Sequence, residues 1–138
     1  MEEDSAVWSD DFSLGVPFID DQHKKLVVMI GDLFRSCREG SGAANVTFSL
    51  AFTKASNYSL THFMEEEELL EKAGYPALAA HKKEHESFLA EIQTEFHKFK
   101  ENNAAPIGLA RFLKKWLMNH IAINDKQYVP YVKKMQAL

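Results

Sequence analysis

Apolar positions recur at helical spacing in four stretches of this chain, and no stretch alternates in the manner of a half-buried strand. The first stripe, from Ile19, runs through His23, Leu26, Val27, Ile30, Leu33 and Phe34, with Asp20 and Asp21 in the first turn where the helix dipole favours negative charge. It should stop near Arg38, because Gly40-Ser41-Gly42 follows. The second starts around Asn45 and carries Phe48, Ala51, Phe52, Ala55, Ser59, His62, Glu66, Leu69 and Leu70, ending at Gly74-Tyr75-Pro76. A third begins near Pro76 with Leu78, His81, His85, Phe88, Leu89, Ile92, Phe96 and Phe99, and Asn102 and Asn103 close it. The fourth has Ile107, Leu109, Phe112, Leu113, Trp116, Leu117 and His120, reaches Asp125, and precedes a short terminal helix after Pro130.

These segments predict an all-α fold: an antiparallel, up-down-up-down four-helix bundle whose helices are each about 30 Å long. The expected organisation is one domain over residues 1–138, with a bundle at 19–125 and a short helix at 126–138. Residues 1–18 should form an extended N-terminal loop, in which Trp8, Phe12, Val16 and Phe18 pack on the core.

Histidine breaks the apolar pattern. Burying an unpaired polar group costs several kcal/mol (roughly 2–7), so inner faces normally exclude it. Here every stripe carries imidazole: His23, His62, the pair His81 and His85, and His120. The sixth histidine, His97, lies about 160° round the helix from His81, towards solvent. Two carboxylates share the inward placement. Glu66 is one turn after His62, while its neighbours Glu65, Glu67 and Glu68 read mostly as a solvated acidic run. Asp125 follows His120 by five residues, about 140° round an ideal α-helix; either the helix ends there or a π-type bulge realigns it.

Packing supplies no reason to gather five imidazoles, whereas metal coordination does. Five histidines and two carboxylates exceed one tetrahedral zinc and suit two borderline ions such as iron, bridged by Glu66, Asp125 and a solvent oxygen. Splitting the histidines three and two then leaves one ion a vacant position. The sequence His81-Lys82-Lys83-Glu84-His85 also fits the H-x-x-E-H pattern of a zinc hydrolase with Glu84 as base, but that pattern leaves His23, His62 and His120 unexplained.

Composition narrows the partners. The 138 residues carry a net charge of −4, which argues against nucleic acid. Apolar runs such as 26–30 are far too short for a membrane span, so no membrane contact is expected. The acidic Met1-Glu2-Glu3-Asp4 start does not look like a secretory signal, and the single Cys37 suits a reducing cytoplasm.

The segments 19–23, 62–66, 81–85 and 120–125 together resemble the hemerythrin family, specifically its bacterial members, over essentially the whole chain. The resemblance implies that His81, His85 and His120 hold one iron and that His23 and His62 hold the iron with the vacancy. Glu66, Asp125 and an oxo or hydroxo group would bridge them, and O2 would bind reversibly at the vacancy. It places Gln22, Leu26, Phe63, Trp116 and Tyr128 near the site. Ala122 stands where the family often has a bulkier aliphatic residue, which would leave the oxygen pocket roomier. Such domains serve as oxygen carriers, stores or sensors, alone or joined to signalling proteins such as chemotaxis receptors, and small ligands such as azide or NO are further expectations. The competing expectation is a redox or nitric-oxide-handling di-iron enzyme or sensor that autoxidises; few carboxylates among the ligands disfavour it, since oxygen-activating di-iron bundles use four.

Overall fold

The computed structural model describes residues 4–37, 41–102 and 106–137, so the expected helix ends at Arg38, Gly40 and Asn103 lie outside the described residues, as do the first three positions. Among the described residues the long helices are α1 (Pro17–Ser36), α2 (Ser41–Lys72), α3 (Leu78–Asn102) and α4 (Pro106–Asn119). A π-helical turn (His120–Asp125) then leads into α5 (Lys126–Gln136). No described strand is present, and no described helix is long and apolar enough to cross a membrane.

The four long helices close into a ring: α1 packs on α2 and α4, and α3 packs on the same two. Contacts between α2 and α3 run in opposite order along the two helices. Phe48 meets Phe99 and Phe52 stacks on Phe96 at one end, while Phe63 stacks on His85 and Glu66 meets His81 at the other. The pair is therefore antiparallel. One half of the bundle is an aromatic core; the half nearest the α2–α3 turn holds the polar cluster.

Local chemistry explains the ends. α1 opens with Pro17, which lacks one of the N–H groups a helix start leaves unsatisfied. Asp20, in that first turn, accepts bonds from the Leu14 amide (2.8 Å) and the Ser13 hydroxyl (2.6 Å), fastening the lead-in to the helix. α2 ends in a Schellman motif. Gly74 adopts φ +68°, Tyr75 N–H reaches Leu70 O (3.0 Å) and Gly74 N–H reaches Glu71 O (3.1 Å). That tight reversal puts His81 opposite Glu66.

Several boundaries differ from the pattern's expectation. α2 begins at Ser41 rather than near Asn45, since alanine is the strongest helix former and Ala43 and Ala44 carry the helix back through Gly42. α3 starts at Leu78, after Pro76 and Ala77 complete the turn. α5 begins before Pro130 and runs through it; burial of Tyr128 and Val132 on one face offsets the missing proline N–H. In the lead-in, Leu14 and Val16 are buried, whereas Phe18 is 50% exposed because it opens the outer face of α1.

Candidate metal centre

All five stripe histidines are buried, none more than 4% exposed, and Glu66 and Asp125 are fully buried beside them. His97, by contrast, has a side chain 81% exposed. The buried groups come from α1, α2 and α3 and from the π turn that continues α4.

Two clusters of nitrogen share the two carboxylates. Glu66 Oε1 lies 2.7 Å from His81 Nε2 and 3.1 Å from His85 Nε2, while its Oε2 lies 3.4 Å from His62 Nε2 and 3.9 Å from His23 Nε2. Asp125 divides in the same way. Its Oδ1 is 3.0 Å from His120 Nε2 and 3.3 Å from His81 Nε2, and its Oδ2 is 3.1 Å from His23 Nε2. His81, His85 and His120 thus form one group with Glu66, and His23 and His62 form another with the same glutamate.

The π turn brings Asp125 in. Its hydrogen bonds span five residues instead of four, so residues five apart share a face and Asp125 meets His120. Of the two sequence alternatives, the helix is bulged and does not end.

Outer hydrogen bonds fix the rings. Glu67 accepts from His85 Nδ1 at 2.8 Å, and Gln22 Oε1 accepts from His62 Nδ1 at 2.5 Å, leaving each Nε2 lone pair facing inward. The inward His85 Nε2 is also 3.2 Å from His120 Nε2. Buried besides are His23 Nδ1 and Nε2, His120 Nδ1 and both Asp125 oxygens, close to neighbours yet without aligned hydrogen bonds. Lone pairs converging on carboxylate oxygens repel one another unless a proton or cation stands between them, and this donor set of nitrogen and oxygen suits borderline divalent metals.

Protons fill that role in the metal-free chain. Burial lowers the His81 pKa, but the Asp125 and Glu66 carboxylates beside the ring outweigh it and raise it to about 9. Burial would raise Glu66, yet the imidazoles of His62, His81 and His85 hold it well below the usual carboxylate range. Asp125 is likewise lowered: burial and the Glu66 charge oppose ionisation, and His120, His23 and His81 prevail. Tyr128 is pushed well above its ordinary value by burial and by the charges of Glu66 and Asp125. It stays a phenol, and its hydroxyl donates to Glu66 Oε2 at 3.0 Å.

Aromatic rings enclose the three-histidine side. Phe63 lies flat on His85, with centroids 3.9 Å apart, and Trp116 lies flat on His120 at 4.5 Å. Beyond them an apolar cavity of about 20 Å³, room for one water-sized molecule, is bounded by Leu26, Ala55, Phe63, Phe88 and Trp116 among others.

Gln22, Leu26, Phe63, Trp116 and Tyr128 therefore surround the cluster or its cavity. Ala122 does not: it is exposed on the outer side of the π turn, while Ile121 fills the interior, so a roomier pocket cannot come from Ala122. Glu84 is exposed too, outside the buried cluster that holds both histidines of its motif, which removes it as a base for hydrolysis there. Glu65 and Glu67 carry roles that the pattern of the chain did not assign them. Glu65 accepts a bond from the Gln22 side-chain amide, and Glu67 holds His85, so neither is merely solvated. The signal was their position immediately beside Glu66, which lets them reach the helices on either side.

Comparison with known proteins agrees with this geometry. The profile of the Hemerythrin HHE cation binding domain matches residues 14–132. The bacteriohemerythrin of Stenotrophomonas maltophilia is 35% identical over 127 residues, covering 92% of this chain and 81% of its own. That of Methylococcus capsulatus is 34% identical, covering 87% and 90%. The myohemerythrin of Sipunculus nudus is 28% identical over 127 residues, covering 91% and 92%. A wild-type hemerythrin crystal structure superposes with a TM-score of 0.81 at 31% identity, covering 91% of this chain and 96% of that one. With the helices, the shared carboxylates and these relatives in agreement, the chain belongs to the hemerythrin family.

Proposed function

We propose that this protein binds O2 reversibly at a non-haem di-iron centre, as a carrier, store or oxygen-sensing domain. The observation that carries the reading is the division of both carboxylates: each presents one oxygen to the three-histidine group and the other to the pair. On this reading His81, His85 and His120 would hold one iron and His23 and His62 the other, with Glu66 and Asp125 each offering an oxygen to both, and the pair with its oxo or hydroxo group would be the cofactor. The bound pair would supply two electrons and one open coordination position for O2, with azide or NO as further small ligands for that position.

The chain's own residues account for the remainder. Tyr128 donates to Glu66 Oε2 and keeps that carboxylate from rotating. Glu67 and Gln22 keep Nδ1 of His85 and His62 protonated, so that Nε2 of each points at the ions. Phe63 and Trp116 press on two rings and exclude water, which opposes leakage of protons to a bound ligand. Five imidazoles against two carboxylates supply little anionic charge to stabilise high-valent iron, which favours a binder over an oxidase. A reducing cytoplasm suits both ferrous loading and the single thiol of Cys37.

Visible spectra of iron-loaded, anaerobically reduced protein test the reading. A charge-transfer band should develop on exposure to O2 and vanish on degassing, through repeated cycles, with two irons per chain. A spectrum that O2 changes once and degassing never restores would move the redox or NO-handling reading ahead.

A further inference from the structure

Gln22 sits between two groups that leave its amide no choice of orientation. Its Nε2 faces Glu65 and its Oε1 faces His62 Nδ1 at 2.5 Å. An ionised carboxylate only accepts hydrogen bonds, so the NH2 end must meet Glu65. The carbonyl end is then committed to His62, where it can only accept. His62 must therefore carry a proton on Nδ1, which leaves Nε2, 3.4 Å from Glu66 Oε2, as the nitrogen that can give up its proton to a metal.

We propose that Glu65 is a positioning residue which, through Gln22, sets the tautomer of His62 and so keeps the two-histidine half of the centre open to metal. The inference rests on the ligand reading above and goes beyond it, because Glu65 acts on the centre only through the Gln22 amide. Its counterpart on the other flank of Glu66, Glu67, fixes His85 without an intermediary. Three successive carboxylates of α2 thus act in three directions. Glu66 turns inward, Glu65 reaches towards α1 and Glu67 towards α3. Glu65 is only partly buried, so its replacement does not disturb the core.

Charge inversion supplies the test. In Glu65→Lys the new ammonium can only donate, so it draws the Gln22 carbonyl towards itself and turns the NH2 to His62. Nδ1 must then accept, and the proton moves to Nε2, where it blocks metal. Adding Gln22→Glu restores an acceptor beside His62 and pairs the new carboxylate with the introduced ammonium. Zinc titration by calorimetry and imidazole 15N correlation spectra of the zinc-free protein read the outcome. The wild type should bind two zinc ions, with Nδ1–H on both His62 and His85. Glu65→Lys should move the proton to Nε2 on His62 alone, and the affinity of one of the two ions should fall about tenfold or more. The double variant should recover both.

If the wild type binds two ions and Glu65→Lys leaves both affinities and the His62 tautomer unchanged, the inference fails while the di-metal reading stands. A loss that Gln22→Glu does not rescue also overturns it, since general damage to the helix would not be repaired by that change. Fewer than two ions in the wild type would bring down both readings.

Discussion

The Tyr128 hydroxyl and the Glu66 carboxylate lie 62 positions apart in the chain and 3.0 Å apart in space, both on fully buried residues. This bond ties α5 to α2 at the oxygen that faces the two-histidine group. Tyr128→Phe removes the donor and keeps the ring. Hydrogen bonds to charged groups contribute about 1.5–3 kcal/mol, so the metal-free variant should lose stability of that order in urea unfolding. The far-ultraviolet dichroism should not change. A variant as stable as the parent would mean that Glu66 draws nothing from Tyr128.

Asp125 should control metal content more than folding. In Asp125→Ala both halves of the cluster lose a carboxylate oxygen, the one beside His120 and the one beside His23. Metal analysis after iron or cobalt loading should fall from two ions per chain to one or fewer, with helix content retained. Full loading of this variant would contradict a bridging role.

The metal-free protein should have a stability optimum in mildly acidic solution. Glu66 and Asp125 are held below their ordinary values of 4.5 and 3.8, so their contribution is complete above those values and is lost as pH falls. His81 is raised from 6.5 to about 9, so its contribution is complete below the lower figure and disappears as pH climbs through the higher one. Thermal midpoints should therefore decline between about pH 7 and 9.5. Zinc displaces the proton from His81 and should flatten that decline. A midpoint that rises over the same interval in the metal-free chain would refute the assignment.

Phe63 both stacks on the His85 ring and lines the apolar cavity. Phe63→Ala should destabilise the fold by about 3–5 kcal/mol, in line with large-to-small changes in cores. It should also admit water beside His85, so the oxygenated iron protein should decay to its irreversible oxidised form faster, by roughly tenfold, or about 1.4 kcal/mol. Decay of the visible band measures this. An unchanged rate in a folded variant would show that water exclusion resides elsewhere.

Much of this was legible from residue order, for physical reasons that differ by element. Helices declare themselves because Leu26, Ile30 and Leu33, or Phe88, Ile92 and Phe99, return to one face at each turn, and all six are buried. The histidines were legible because a polar ring in an apolar stripe is conspicuous, and the exposed His97 shows that the angle was informative. Helix starts were less so. Gly42 weighs against a helix locally, and only the continuation of α2 beyond it decides the matter. Ala122 went astray because its place rested on family resemblance alone, and in this π turn it is Ile121 that is buried while Ala122 is exposed. Glu65 and Glu67 were hidden because their partners, Gln22 and His85, lie on other helices. No periodicity along one helix reports what a neighbouring helix offers.

The π turn at His120–Asp125 is equivalent to an α-helix that has absorbed one extra residue. Deleting the exposed Ala122 would leave histidine and aspartate four apart, still on one face, with α4 and α5 continuous. The bundle is thus a single deletion away from a more regular backbone. What the extra residue supplies is not facing but reach: a wider coil that carries the Asp125 carboxylate far enough to touch His23 on α1 as well as His120 in its own turn. Regularity and service to two partners compete for the same six residues, and here the backbone has yielded.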